Sequence, residues 1–235
     1  MSEWKAKRFW ESAEGRAIDG GFAVFLDARM VKTPAKKELV VPTLALASAI
    51  AKEWDAQVET INPTTMPMTR SANVAIDKVA TQFSEVAEIV ASYGESDLIC
   101  YLAEGPQELI ERQKRVWQPL LDRTEKEIGV SLAVGSGVVP ISQEVSQIQK
   151  LKNTVAGYDS FELTALHELV SLSGSLVIGL AAMRDWAPDE ELWAASRVDE
   201  DWQIEAWGED EEAQAVERAK WAAFAQAKQF AALLR

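Results

Sequence analysis

The feature that most constrains this chain is the proline-marked stretch from Ile61 to Met68. Asn62-Pro63 and Met66-Pro67 lie in quick succession there. Proline fixes φ and carries no backbone donor, and the residue before it is pushed toward extended backbone. Neither a regular helix nor a central strand can pass through such a stretch. Short β-prone runs separated by turn residues precede it, and apolar residues at helical spacing follow it almost to the C terminus. The chain is therefore expected to be α+β, with a small β-rich N-terminal domain followed by a larger all-helical C-terminal domain. The expected bounds are 1–68, including one helix, and 69–235.

In the first part, Gly20-Gly21 marks a turn ahead of the β-prone run Phe22-Ala23-Val24-Phe25-Leu26. Asp27-Ala28-Arg29 reads as a tight connection to a second strand, Met30 to Thr33, ended by Pro34. Leu39-Val40-Val41 is a third strand, ended by Pro42. Strands this short and this close predict a small antiparallel sheet. Thr43 then caps a helix whose Leu46, Ile50 and Trp54 recur every four residues on one face. That stripe places Trp54 in the core.

Beyond the boundary, helices are expected over Asn73 to Ala91, from Pro106 through Leu121, over Ser142 to Val155, over Asp159 to Ala182, and over Asp189 to Leu234. Pro119 should start a new helix or kink the second of these. Gly135-Ser136-Gly137 and Pro140 read as a loop. Gly174-Ser175 and Gly179 sit in an apolar helical run, where small residues permit close helix packing.

Charge narrows the partners. Formal net charge is -13 over 235 residues. Phosphate binding needs a basic face, so nucleic acid is not expected as a partner, nor is an anionic membrane surface. A basic or mixed protein partner fits. The longest apolar run, Leu176 to Met183, is too short to span a bilayer, so no membrane insertion is expected. The charged start, Met1 to Trp10, has no apolar stretch behind it, and no secretory or mitochondrial leader is expected. The single cysteine, Cys100, excludes an internal disulfide and fits a reducing compartment. Within Leu98-Ile99-Cys100-Tyr101 it reads as a small buried hydrophobe.

Residues that could carry chemistry are few. His167 is the only histidine, which rules out a metal site built on histidines. Ser171 and Ser173 follow it on the same helix, where no exposed nucleophile elbow forms. Gly135-Ser136-Gly137 lacks the lysine of a P-loop and the third glycine of a dinucleotide fingerprint. No cofactor is expected.

One dense acidic run remains, from Asp199 to Glu212, with eight acids, two tryptophans and one isoleucine. On a helix, Arg197, Asp201 and Glu205 form one row. Val198, Trp202 and Ala206 form a second, and Asp199, Gln203 and Trp207 a third. Three readings stay open for it. It is an exposed acidic face over buried tryptophans, a protein contact in which tryptophan lies beside charge, or a carboxylate pair serving a hydrolase. The last would need a deep pocket and a carboxyl of raised pKa.

Several segments together resemble the Atp-twelve family of ATP synthase assembly factors. They are Arg8-Phe9-Trp10, Leu26-Asp27-Ala28-Arg29 with Lys32-Thr33-Pro34, Ala51-Lys52-Glu53-Trp54-Asp55-Ala56-Gln57, and Met66-Pro67-Met68-Thr69 with Asn73. Tyr93 through Tyr101, Trp117-Gln118-Pro119-Leu120 and Ser196 through Gly208 complete the set. The joint order and spacing of these pieces is specific and spans nearly the whole chain. The resemblance implies a non-enzymatic chaperone with a β-rich N-terminal and a helical C-terminal domain. It would bind the free α subunit of the catalytic sector and prevent its aggregation until α pairs with β. It also implies a functionally important acid in the C-terminal segment, carried over to Glu205 and its neighbours Asp199, Glu200 and Asp201. Trp202 and Trp207 complete the expected partner-binding set. A monomer is expected, in the bacterial cytoplasm or, if a presequence was trimmed, in the mitochondrial matrix.

Overall fold

Two-residue hairpins build the N-terminal sheet. The computed structural model describes residues 7–208 and 210–235; the first six residues and Glu209 of the acidic run lie outside the described residues. Strands β1 (Ala13–Ile18), β2 (Gly21–Leu26), β3 (Arg29–Met30) and β4 (Val40–Val41) pair antiparallel, with β2 between β1 on one side and β3 and β4 on the other. Asp19-Gly20 closes the first hairpin, with Gly20 at φ +84 as a tight turn requires. Asp27-Ala28 closes the second. The Asp27 carboxylate accepts from the backbone N–H groups of Glu11 at 3.1 Å and Ser12 at 3.0 Å.

The first strand has no counterpart in the sequence reading. Its segment, Ala-Glu-Gly-Arg-Ala-Ile, carries too little apolar alternation to announce itself. It forms because β2 supplies the partner and helix α1 (Leu44–Asp55) covers it. A Cβ added to Gly15 would stand 3.0 Å from Ala47, so glycine permits the close approach of strand and helix. The expected cap is present, with Thr43 Oγ1 accepting from Leu46 N at 3.1 Å. Leu46 and Ile50 are fully buried. Trp54 is half-buried, edge-on against Trp10 at 5.4 Å between ring centroids.

The proline stretch becomes a 3-10 turn, Pro63–Thr65, followed by helix α2 (Pro67–Asp77). Glu53 of α1 satisfies the open start of α2. Its carboxylate accepts from Met68 N at 2.7 Å and from Thr69 N at 2.8 Å. The single helix expected over Asn73 to Ala91 is broken. It ends at Asp77, passes a 3-10 turn at Val79–Thr81, and resumes as α3 (Phe83–Ser92). The break is stabilised from the sheet side. Asp77 accepts from Thr33 Oγ1 at 2.7 Å and Ala35 N at 3.0 Å, and Lys37 donates to the Ile76 carbonyl at 3.0 Å.

Next in the chain come β5 (Tyr101–Leu102), α4 (Gln107–Ile128), β6 (Gly135–Ser136), α5 (Val145–Ala156), α6 (Ser160–Ser173) and α7 (Leu176–Met183). They are followed by α8 (Asp189–Ala195), α9 (Val198–Trp207) and α10 (Glu211–Ala232). The chain divides into two units. One comprises Met1–Phe83, Ser160–Thr164 and Gln229–Arg235; the other comprises Ser84–Asp159 and Ala165–Lys228. The larger part is helical, as expected, with one small exception. Gly135-Ser136 is not a plain turn but pairs parallel with Tyr101-Leu102. Helix α4 runs through Pro119 as one element rather than restarting there.

The remaining long periodic runs also break. The run expected to be one helix over Asp159 to Ala182 splits at Gly174, where φ is +70. Ser175 Oγ accepts from Ile178 N at 3.0 Å, and buried Asp97 accepts from Val177 N at 3.0 Å, so the start of α7 is satisfied without water. A Cβ on Gly179 would lie 2.5 Å from Val170 Cγ2, which bears out the reading of close helix packing. The last run splits into α8, α9 and α10. Gly208 ends α9 at φ +90. Asp210 caps α10 by accepting from Glu212 N at 2.8 Å and Ala213 N at 3.0 Å.

Candidate functional site

Helix α9 opens with Asp199, Glu200 and Asp201 in its first turn, where the helix dipole favours negative charge. Val198 is its only buried residue among the ten. All six expected contact residues lie on it, but they divide between two sides.

Asp199, Trp202 and Glu205 are engaged with α4. Asp199 Oδ1 accepts from Gln113 Nε2 at 2.6 Å, and Gln113 Oε1 in turn accepts from Ala103 N at 2.8 Å. Glu205 takes both terminal nitrogens of Arg112, at 2.8 and 2.7 Å, in a two-pronged ion pair. The same guanidinium lies over the Trp202 ring, 4.9 Å from its centroid. The hydrogen bond and charge of Arg112 hold the Glu205 carboxyl below its ordinary range.

Glu200, Asp201 and Trp207 line an open groove of about 960 Å³ between α9 and α10. Trp207 is 81% exposed. Burial, reinforced by the charges of Glu200, Glu217 and Glu205, raises the Asp201 carboxyl, although Arg197 opposes the shift. Asp199 is raised as well, first by burial, against its bond from Gln113. On α10, Val216 is 52% exposed, and Glu217 accepts from Trp193 Nε1 at 2.8 Å.

Asp201 and Glu205 are one turn apart on α9, and the Asp201 charge acts on both Glu205 and Arg112, so this row stands at the edge between the two sides. Glu205 reaches α4 from it, as Asp199 and Trp202 do from theirs. Sequence reasoning missed Arg112, Gln113, Val216 and Glu217. Nothing local marks them, since each is an ordinary residue of an amphipathic helix until α9 is placed beside it.

The other candidates have structural roles. Cys100 is fully buried, and burial pushes its thiol up to about 12. The Ser173 hydroxyl donates to the Leu169 carbonyl at 2.7 Å, inside its own helix. Among the described residues, no group of three or more His, Cys, Asp or Glu is placed to hold a metal ion. No helix among them is long and apolar enough to cross a membrane.

The sequence profile of the ATP12 chaperone proteins matches residues 7–125. This chain belongs to the ATP12 chaperone protein family. The profile takes in the sheet, α1 to α3 and most of α4, so it includes Arg112 and Gln113 but stops short of α9. Solved structures of the ATP12 family extend the likeness over the rest. Atp12 from Paracoccus denitrificans is 46% identical, with a TM-score of 0.96 over 99% of this chain and 100% of that one. An aspartate-to-lysine mutant of P. denitrificans Atp12p is also 46% identical, with a TM-score of 0.97 over all of both chains. The mitochondrial protein atp12 of Schizosaccharomyces pombe is 25% identical over 225 residues, covering 90% of this chain and 77% of that one. ATP12-family membership and the α+β fold were both expected from the residues, and both hold.

Proposed function

We propose that this chain is an assembly chaperone that holds the free α subunit of the ATP synthase catalytic sector until it pairs with β, with α9 as its contact element. Family membership supports the chaperone role. The observation that favours α9 is its exposure: nine of its ten residues are not buried, and Trp207 projects into solvent beside carboxylates. Tryptophan next to charge is the composition of an interface hot spot. A free α subunit exposes the surface meant for β, and such surfaces are apolar at their centre and prone to wrong association. A chaperone covers that surface and yields it to β by mass action, with no cofactor and no catalytic step. The protein acts as a monomer where α is made, in the bacterial cytoplasm or the mitochondrial matrix.

The test is capture of purified α and β subunits, offered separately. Retention of α alone is the expected result. Failure to retain α, under conditions where α is soluble, overturns the reading.

A further inference from the structure

The two sides of α9 cannot serve a partner equally. Asp199, Trp202 and Glu205 already have partners on α4. A protein that took Glu205 would first have to separate it from Arg112. The groove side is different. Among the described residues, five carboxylates and three cations line it, and one of those cations, Arg197, is already paired with Glu200 at 3.3 Å. Large apolar side chains project at the same place, Trp207 from α9 and Val216 from α10. Burial first, and then the charges of Glu200, Glu217 and Glu205, raises the Asp201 carboxyl, and an incoming cation would offset the second of these.

We propose that the groove between α9 and α10 receives a basic, amphipathic segment of the partner protein. An apolar residue of that segment lies against Trp207 and Val216, and its cations face Asp201 and Glu212. The identity of the partner rests on the assembly-chaperone reading; the chemistry of the segment rests on the groove. A second copy of this chain, at net charge -13, would be repelled from the same carboxylates. Asp199, Trp202 and Glu205 are positioning residues in this scheme, because they hold α9 at the angle that forms one wall of the groove.

The experiment measures fluorescence anisotropy of a labelled lysine–leucine peptide with helical spacing, and of its glutamate–leucine counterpart, with the full chain. The lysine peptide should bind, and added salt should weaken it. Trp207→Ala and Glu212→Lys, both at exposed positions, should each weaken it by about tenfold or more. The same two variants should retain less α subunit. Val138→Ser, on the exposed segment after β6, should change neither readout. Equal binding of both peptides, or variants that bind like the parent, would overturn the groove. If the parent and both variants retain α alike, the groove proposal falls and the chaperone reading stands. If the parent binds the lysine peptide tightly but retains no α, the groove stands and the chaperone reading falls.

Discussion

Helices α7 and α9 are close in length, and they are held in opposite ways. All eight residues of α7 are buried, and its start is closed by Ser175 and Asp97. Helix α9 buries one residue of ten and is tied to α4 by a hydrogen bond, a two-pronged ion pair and a cation over a ring. Burial of apolar surface is strong and insensitive to geometry, so α7 can only be a core element. Exposed polar ties are individually weak and screened by salt. A helix held that way keeps a second face open to solvent. The two helices, of one unit, therefore differ in what holds them.

That contrast can be broken by substitution. Leu180→Ala, at a fully buried position of α7, should lower unfolding stability in urea by about 3 kcal/mol through lost burial and the cavity left behind. Ile204→Ala, at a half-buried position of α9, should cost less than about half of that. Equal losses would mean that α9 is a core helix after all.

Acid titration sharpens the same contrast. Burial raises the Asp97 carboxyl to about 6, against hydrogen bonds from Ser175 and from the backbone of Val177, Ile99 and Leu176. An acid whose pKa is higher in the folded than in the unfolded chain binds its proton more readily when folded. Its contribution to stability therefore rises as pH falls through 6 and is complete below the unfolded value near 4. Between pH 7 and pH 5 the parent should gain about 1 kcal/mol relative to Asp97→Asn, read from urea unfolding at both values. A gap between the two that stays constant would show that the carboxylate is as well solvated in the fold as in water. The smallest effect belongs to α9. Arg112→Gln should let the Glu205 carboxyl climb back toward its ordinary range in a carboxyl-carbon NMR titration, with the urea midpoint almost unmoved. A large drop in the midpoint would give the ion pair a structural weight that its exposure does not explain.

Elements whose cause is local were legible in the residues. Thr43 as a cap, Asp27-Ala28 as a turn, and the stripe of Leu46 and Ile50 each depend on neighbours within a few positions. The misreadings share a different cause. Helices expected to be continuous were interrupted at Lys78, Gly174, Ser196 and Gly208. At the first two, side chains distant in sequence stabilise the interruption: Thr33 meets Asp77, and Asp97 meets Val177. Periodicity counts apolar residues and does not register a carboxylate arriving from elsewhere in the chain. The strand β1 escaped notice for the same reason, since its partner strand and covering helix make it a strand.

The candidate site divides along the same line. Residue order alone determined that the acids and tryptophans from Asp199 to Trp207 would lie in helical rows near the C terminus, within a run expected to be one helix over Asp189 to Leu234. Tertiary structure decided which neighbours they meet. Arg112 and Gln113 lie 93 and 86 residues from the side chains they hold, and only packing of α9 against α4 brings them together. That packing sets Asp199, Trp202 and Glu205 against residues of the neighbouring helix, with the Glu205 side chain still exposed. Glu200, Asp201 and Trp207 are left facing the groove. The choice depends on where a helix is placed, and a helix's own sequence specifies its faces but not its neighbours.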